Sequence, residues 1–182
     1  MKHNLKEKRY IHSLGVEKMA RYLASVHGAD EEKAAFAGRY HDIAKCFSDE
    51  MENRYIREYG ISEKFANSNA LAHSKVAAEI LKNEFGVDNE EVLDAVRSHT
   101  TGRRGMSLLE EIVYVADAIE ENRNYPGLRA LQQQAAEDLD GACLFIMDYT
   151  IDTIKKKGRT LDADTIEARE FICSRIRSTN GQ

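Results

Sequence analysis

Long apolar runs are missing from this sequence, and their absence excludes several classes of protein. No stretch approaches the ~20 apolar residues that a membrane-spanning helix needs. The first six residues, MKHNLK, lack the apolar core of a secretory signal peptide. The sequence therefore predicts a cytoplasmic protein that has no membrane partner.

Proline, cysteine and excess positive charge are also scarce. The single proline, Pro126, leaves long stretches free to form helices, because proline is the strongest helix breaker. The three cysteines, Cys46, Cys143 and Cys173, are scattered and odd in number, which indicates reduced thiols rather than disulfides or a thiolate metal site. The net charge of −5 argues against nucleic-acid binding, although a local cluster of Lys and Arg could still bind a small anion.

Apolar residues recur at spacings of three and four along most of the chain, which is the pattern of amphipathic helices. We therefore predict an all-α fold in one domain over residues 1–182, with the informative motifs between about 8 and 170. The first helix is predicted from about Lys8 to Val26, ending at Gly28. A second helix carries His41 and Asp42. Further helix starts are predicted from N-capping residues at Asp30, Asp88, Ser107 and Asp164. A short helix is predicted from Ser48 to Tyr59, and one long helix from about Leu128 to Lys157.

Histidines and acids are spread over several predicted helices, in a pattern typical of a metal site inside a helical bundle. His41 and Asp42 are adjacent, His12 lies upstream and Asp117 downstream. Asp117 lies in the most apolar stretch, where burying a carboxylate is costly unless a metal or a salt partner neutralises it. The alternatives are exposure at the helix edge and an ion pair with Arg123. Two histidines and two carboxylates without a thiolate favour iron, manganese, cobalt or zinc.

Other residues near this pattern have more than one interpretation. His73 and His99 could ligate a second metal ion, contact a phosphate as imidazolium groups, or be structural. Lys45 follows the His-Asp pair closely, so that it could bind a substrate phosphate or pair with Asp42. His12, taken alone, is more typical of a hydrogen-bonded core histidine than of a ligand. The pattern therefore leaves one or two metal ions open.

These residues resemble the HD-domain metal phosphohydrolases, and most closely the YqeK family of symmetrical dinucleoside tetraphosphate hydrolases. The most specific stretch runs from His99 to Gly127 and reads HTTGRRGMSLLEEIVYVADAIEENRNYPG. Residues 12–16, 41–45, 71–73 and 158–169 also resemble the family. The likeness covers nearly the whole chain.

The resemblance implies an HD-domain helical bundle that holds iron or a similar metal in its core. The implied ligands are His12, His41, Asp42 and Asp117. Catalytic roles are implied for His41, Asp42, Lys45, His73 and His99. The implied substrate pocket comprises Arg9, His12, Asp42, Lys45, His73, His99, Thr100, Asp117, Arg123, Thr160, Leu161, Asp162 and Thr165. The family usually has His-Pro where this chain has Asp162-Ala163, and a carboxylate there would repel a polyphosphate.

The activity implied by the resemblance is metal-dependent hydrolysis of diadenosine tetraphosphate, a small-molecule dinucleoside polyphosphate, into two molecules of ADP. Three alternatives stay open. They are an HD phosphohydrolase of another nucleotide, a di-iron oxygenase in which His73 and His99 are further ligands, and a nucleotide sensor without catalysis. The metal's identity, the nucleoside preference and the assembly state, a homodimer included, also stay open.

Overall fold

The computed structural model describes residues 6–180, and this part of the chain folds into helices without a strand. The α-helices are α1 (Glu7–His27), α2 (Glu31–Tyr40), α3 (Asp49–Glu58), α4 (Asn69–Asn83), α5 (Glu90–Ser98), α6 (Leu108–Ile119), α7 (Leu128–Glu137), α8 (Leu139–Lys156) and α9 (Ala163–Asn180). A short 3₁₀ turn, Glu63–Phe65, lies between α3 and α4. The predicted all-α fold is confirmed. Most of the MKHNLK segment and the last two residues of the predicted domain lie outside the described residues.

Helix α6 occupies the centre of the bundle and contacts α1, α2, α5, α7 and α8. Nine of its twelve residues are buried, as its apolar sequence predicts. Although α6 is so apolar, no helix within residues 6–180 combines the length and hydropathy needed to cross a bilayer. Its central position lets acidic side chains on α6 reach the interior of the bundle directly.

Helices α1 and α2 pack closely, because the facing side chains are small. A Cβ atom added to Gly38 would lie only 3.0 Å from the backbone oxygen of Val16. Gly28 ends α1 in the left-handed conformation with φ +74°, and the carboxylate of Asp30 caps α2 by accepting the amides of Glu32 and Lys33. Both helix boundaries agree with the prediction. The pairing brings the middle of α1 against the end of α2.

Two predicted helix caps are displaced by one or two residues. Helix α5 is capped by Asn89, whose side chain accepts the amide of Val92, rather than by Asp88. Helix α9 begins before Asp164, and the carboxylate of Asp162 accepts the Asp164 amide at 2.9 Å. Both differences follow from a neighbouring side chain that takes the capping position.

The predicted single helix from Leu128 to Lys157 is wrong, because the chain breaks at Asp138 into α7 and α8. Asp138 adopts φ −147° and ψ 88°, and its carboxylate caps α8 by accepting the amide of Gly141 at 2.9 Å. Gly141 permits this approach, since a Cβ atom there would lie 2.2 Å from the Asp138 carboxylate. A local hydrogen bond from side chain to backbone therefore replaces helix continuation.

Candidate metal centre and active site

Five elements deliver histidines and acids to the centre of the bundle. The contributing side chains are His12 on α1, His41 and Asp42 after α2, His73 on α4, His99 at the end of α5 and Asp117 on α6. All except Asp117 are buried, and the side chain of Asp117 is about one quarter exposed (26%). The structure therefore brings together all six residues that the sequence nominated as ligands or possible ligands.

His41 and Asp42 lie in a turn and not within a helix as predicted. Helix α2 ends at Tyr40, and residues 41–46 continue as tight turns. Two of these turns are closed by hydrogen bonds from the Ile43 amide to the Tyr40 carbonyl and from the Lys45 amide to the Asp42 carbonyl. These bonds span three residues and tighten the chain relative to an α-helix. The tighter turn places both side chains of the pair in the same cluster.

The four predicted metal ligands approach one another closely. Nε2 of His12 lies 3.0 Å from Oδ1 of Asp117 and 3.8 Å from Oδ2 of Asp42. Nε2 of His41 lies 3.9 and 3.6 Å from the same two oxygens. Metal–ligand distances of about 2.0–2.2 Å place adjacent ligand atoms roughly 3 to 3.5 Å apart. These four nitrogen–oxygen distances are therefore equal to, or slightly longer than, those between adjacent ligands of one divalent ion.

The hydrogen bonds of the imidazole rings fix which nitrogen is free. The Nδ1 atoms of His41, His73 and His99 donate to the backbone oxygens of Gly38, Asn69 and Val96 at 2.6, 2.6 and 2.7 Å. Because a carbonyl oxygen only accepts, each Nδ1 carries its proton and each Nε2 keeps a lone pair. Burial lowers the pKa of His41 and of His73 to about 4, so both rings are neutral near pH 7. Neutral rings with fixed tautomers are what metal ligation requires.

Two of these nitrogens lack a hydrogen bond. The buried Nε2 atoms of His12 and His41 have no hydrogen-bond partner among the described residues. Buried polar atoms without a partner are rare in folded proteins and call for an explanation. A divalent cation held by both nitrogens and by Asp42 supplies one, since these three ligand atoms lie within 4.8 Å of one another. Oδ1 of Asp117 lies 3.0 and 3.9 Å from the same two nitrogens, so the residues fit a metal site.

Both carboxylates are ionised. Burial acts to raise the pKa of Asp42, but the surrounding His41, His73 and His99 outweigh burial and hold that pKa below its usual range. The pKa of Asp117 is likewise lowered, because His12 and His41 outweigh the effect of burial. Arg123 also donates to Oδ1 of Asp117 at 2.6 Å, so the predicted alternative partner contacts this acid as well.

A second group of side chains adjoins the first through Asp42. Nε2 of His73 lies 3.3 Å from Oδ1 of Asp42 and 3.1 Å from Nε2 of His99, and Nζ of Lys45 lies 3.1 Å from the same His73 nitrogen. The hydroxyl of Thr100 lies 3.2 Å from both rings. Two nitrogen lone pairs that face each other repel unless a proton or a cation lies between them. Asp42, His73 and His99 could accordingly hold a second ion.

Glu120 supports the metal centre, and its role could not be read from the sequence pattern. This buried carboxylate accepts from Nδ1 of His12 at 3.1 Å, which directs Nε2 of His12 toward Asp117. Glu120 is itself held by the backbone and side-chain amides of Asn122, at 2.6 and 2.9 Å. Gly15 leaves room for it, since a Cβ atom there would lie 2.1 Å from the carboxylate. The sequence feature that marks Glu120 is its position as an acid directly after the apolar run that carries Asp117, and this position alone does not reveal its contact with His12.

The cluster opens into a cavity of about 570 Å³, a volume typical of small-molecule sites. Its polar lining comprises Arg9, Asp42, Lys45, His73, His99, Thr100, Asp117 and Arg123. Its other lining residues are Tyr114, Ala118, Tyr125, Pro126, Leu131, Phe145, Ile146, Tyr149 and Thr150. The guanidinium of Arg9 donates to Oδ2 of Asp42 at 2.8 Å. Three cationic side chains thus surround the carboxylates and give the cavity the charge that an anionic substrate needs.

The predicted nucleotide loop lies elsewhere. None of Thr160, Leu161, Asp162 and Thr165 lines this cavity. Thr165 is buried, and the carboxylate of Asp162 lies 3.9 Å from Nζ of Lys64. The structure therefore does not bring this loop together with the other predicted substrate residues, and its role stays a prediction.

Comparisons with known proteins agree with this geometry. The HD domain family matches residues 9–122, a range that includes all six residues of the cluster. A solved structure from Clostridium acetobutylicum, described as a predicted HD superfamily hydrolase involved in NAD metabolism, superposes with a TM-score of 0.90. It is 42% identical in sequence, and the match covers 95% of this chain and 93% of that one.

Several sequence relatives carry the name symmetrical bis(5'-nucleosyl)-tetraphosphatase, and they match nearly the whole chain. The protein of Halalkalibacterium halodurans is 40% identical, over 91% of this chain and 89% of its own. The protein of Bacillus subtilis is 38% identical, over 96% of this chain and 94% of its own. The resemblance found in the sequence is confirmed. The chain belongs to the HD domain family and, within it, to the family of the symmetrical bis(5'-nucleosyl)-tetraphosphatases.

Proposed function

We propose that this protein is a metal-dependent hydrolase that cleaves diadenosine tetraphosphate symmetrically into two molecules of ADP. The observation that carries the proposal is the cluster of His12, His41, Asp42 and Asp117. The free nitrogens of its two histidines are buried beside two ionised carboxylates, and these carboxylates line a cationic cavity. The names of the relatives that match nearly the whole chain support the substrate. Substrate, metal and pocket together define a phosphoanhydride hydrolase.

The same four residues would hold the metal, and we propose iron as its identity. Two imidazoles and two carboxylates are borderline and hard donors, which suit iron and also manganese, cobalt or zinc. A divalent cation held there would lower the pKa of bound water toward neutrality and would polarise a phosphoryl oxygen. Glu120 supports this role by fixing the His12 tautomer.

The remaining cavity residues would bind and neutralise the phosphates. Lys45, Arg9 and Arg123 each lie against a histidine or a carboxylate of the cluster, so their charges converge on the same space. In phosphoryl transfer, catalysis rests mainly on positioning and on such fixed charges. Lys45 is partly buried, and burial lowers its pKa, while the nearby carboxylate of Asp42 opposes this shift. His73 and His99, with the hydroxyl of Thr100, complete this polar side of the cavity.

Symmetrical cleavage would follow if one ADP half fills the pocket with its outer phosphate at the metal centre. The other half then leaves as ADP, and ADP inhibits as a product.

We further propose that residues 1–182 form one domain, because α8 packs on α6 and α9 packs on α8 beyond the segment matched by the HD family. The free cysteines and a nucleotide substrate favour the cytoplasm, and a homodimer is compatible with this scheme.

A di-iron oxygenase is the second candidate, and one observation favours it. Asp42, His73 and His99 could hold a second ion beside the first. The ammonium of Lys45, 3.1 Å from Nε2 of His73, already brings a positive charge to that position. A lysine there suits phosphate binding better than a second iron, and we therefore favour the hydrolase.

The proposal is tested by loading the purified protein with iron, manganese, cobalt or zinc and assaying a nucleotide panel under air and under nitrogen. The panel contains diadenosine tetraphosphate, diadenosine triphosphate, ATP, a cyclic nucleotide and NAD. We expect turnover of diadenosine tetraphosphate to ADP, in a metal-dependent manner and at equal rates in both atmospheres. Consumption of oxygen would support the oxygenase. Tight binding of ADP without turnover of any member would support a sensor.

A further inference from the structure

Three exposed aromatic side chains line the cavity, and the proposed chemistry does not use them. The exposed fractions are 38% for Tyr125, 55% for Phe145 and 69% for Tyr149. All three line the same cavity as the metal centre, and together they are called the aromatic wall. Large apolar side chains left in contact with water around a concave site are typical of a ligand-binding surface.

The wall is built from two separate elements. Phe145 and Tyr149 lie one helical turn apart on α8 and so share a face of that helix. Tyr125 lies in the turn before α7, where its hydroxyl donates to the backbone oxygen of Ala118 at 2.9 Å, which holds the ring. The buried side chains of Leu131, on α7, and Ile146, on α8, line the same cavity. The cavity that holds the three rings therefore also has a buried apolar lining.

Arg123 connects the wall to the catalytic cluster. Its guanidinium donates to Oδ1 of Asp117 at 2.6 Å and also to the Asp117 backbone oxygen at 2.9 Å. Only one residue separates it from Tyr125 in the sequence, and both residues line the cavity. A ligand on the wall would thus share the cavity with a positive charge that is held against the Asp117 carboxylate.

We propose that the aromatic wall binds one nucleobase of the dinucleotide substrate by stacking, while Arg123 contacts the adjoining phosphates. The identity of the ligand rests on the proposed function. A substrate with two identical nucleosides has a base on each side of the bond that is cut, and the 160–165 loop does not reach this cavity. The wall therefore supplies a base site that the family resemblance does not provide. Stacking suits the three rings, because every base presents a flat π face.

The test compares two ligands that differ in the presence of bases. The first is the diadenosine tetraphosphate analogue with a methylene group at the central bridge, which resists symmetrical cleavage, and the second is inorganic tetraphosphate. Binding of each to the metal-loaded protein is measured by calorimetry for wild type, for the double variant Phe145→Ala with Tyr149→Ala, and for Tyr22→Ala. Tyr22 is a matched control, since it is 50% exposed on α1 and does not line the cavity.

We expect the double variant to bind the analogue about 5- to 100-fold more weakly, the range expected for lost base stacking. Its affinity for inorganic tetraphosphate should stay within about twofold of wild type, and Tyr22→Ala should change neither affinity. Equal losses for both ligands would overturn the inference, because the wall would then only support the fold of the site. Unchanged affinities for both ligands would also overturn it. Analytical ultracentrifugation of wild type and double variant adds a third outcome: a smaller mass of the variant would mean that the wall binds a second copy of the chain instead of a base.

This test is separable from that of the proposed function. If the wild type binds the analogue through the wall but does not hydrolyse diadenosine tetraphosphate, the base site stands and the proposed function fails. If it hydrolyses the substrate and the double variant binds the analogue normally, the base site fails alone. A wild type that does not bind the analogue overturns the base site whatever the hydrolysis assay shows.

Discussion

Two groups of buried polar side chains lie at opposite ends of α6, and they differ in how fully their hydrogen bonds are satisfied. At the first end, the fully buried Glu110 accepts from the hydroxyl of Ser98 at 2.9 Å and from the backbone amide of Ser107 at 2.8 Å. Arg103 adds two further bonds, at 2.6 and 2.8 Å, one to each carboxylate oxygen. Every oxygen of this acid has a donor.

At the other end, the group around Asp117 is incomplete. Nε2 of His12 and Nε2 of His41 are buried without a hydrogen-bond partner among residues 6–180. The nitrogens of His73 and His99 face each other at 3.1 Å, an arrangement that itself needs a proton or a cation. The Nδ1 atoms of His12 and His41 are thus held by hydrogen bonds to Glu120 and Gly38, whereas their Nε2 atoms have no hydrogen-bond partner among the described residues.

The two ends of α6 therefore have different roles: the group around Glu110 stabilises the fold, and the group around Asp117 is available to bind a ligand. A buried acid whose oxygens are all paired contributes to the fold and has no capacity left for a ligand. A group of buried nitrogen atoms whose lone pairs have no partner costs folding free energy, which a bound cation offsets. We therefore expect substitutions in the group around Glu110 to lower stability and leave metal binding intact. Substitutions in the group around Asp117 should remove metal binding and leave the helical fold intact.

The largest expected effect comes from Asp117→Ala. Removing this ligand should abolish metal binding and lower kcat/KM by at least about 100-fold, since even residues that only orient ligands cost 10–100-fold. Metal content and kcat/KM are measured, and circular dichroism should show unchanged helicity. Asp148→Ala, which removes a half-exposed acid of α8 that pairs with Arg169 and does not line the cavity, is the control. Full metal occupancy and activity in Asp117→Ala would end the four-ligand account.

Lys45→Ala should leave the metal bound and lower activity by about 10- to 100-fold, because a fixed charge on the phosphates is lost. If Lys45 contacts phosphate mainly in the transition state, the loss appears in kcat; a contact of equal strength in the ground state appears in KM. Steady-state kinetics with metal analysis distinguish these cases. Loss of the metal together with the lysine would contradict the prediction, since Lys45 would then support Asp42 structurally.

Arg103→Ala should affect the other end of α6 only. Breaking a buried ion pair costs 3–5 kcal/mol, and because the Arg103 side chain is 45% exposed we expect about 2 kcal/mol in the free energy of unfolding. Urea unfolding measures this loss, and the neighbouring exposed Arg104→Ala is the control. The folded variant should keep its metal and its kcat/KM. A variant that kept its stability but lost its metal would abolish the distinction between the two ends.

The smallest effect concerns Glu52, a second fully buried glutamate. Its Oε1 accepts from the Asn69 side chain at 2.9 Å, but Oε2 has no partner among the described residues. Burial raises the pKa of Glu52 above its ordinary value of 4.5, and the bond from Asn69 opposes this rise only in part. Between pH 4.5 and the raised pKa, Glu52 therefore keeps its proton in the folded chain and has lost it in the unfolded chain.

From this shift we expect the unfolding free energy contributed by Glu52 to fall as pH rises from 4.5 through the raised pKa. Glu52→Gln imitates the protonated acid and does not titrate. As pH rises, the free energy of unfolding of the variant should therefore gain on that of the wild type, by up to about 1.4 kcal/mol per pH unit. Urea unfolding of both proteins between pH 4.5 and 8 measures this difference. A flat difference, or one with the opposite slope, would mean that Lys45 stabilises the charged form.

The sequence predicts helices well where a local signal marks their ends. Ser107 and Glu110 form the expected capping box, and Gly28 and Asp30 mark the turn between α1 and α2. The break at Asp138 was not predicted, because the capping hydrogen bond competes with a helix that the apolar spacing alone would continue. Local competition of this kind depends on small energy differences that periodicity does not reveal.

The site was only partly accessible from the sequence. The four ligand candidates were identified because an acid in an apolar run and a set of histidines point to a metal, and the family resemblance implies the same four residues. Glu120 and the aromatic wall were not predicted, because their roles arise from contacts between distant segments. The bond between His12 and Glu120 joins residues 108 positions apart, and no local pattern records such a contact.

The most direct test of the account is hydrolysis of diadenosine tetraphosphate by the metal-loaded protein in oxygen-18 water, followed by separation of the nucleotides and mass spectrometry. If the cationic cavity accommodates one ADP half with its outer phosphate at His12, His41, Asp42 and Asp117, ADP is the only product and half of it carries the label. Substantial ATP and AMP would show that the substrate is cut between other phosphates, and they would contradict the symmetrical assignment.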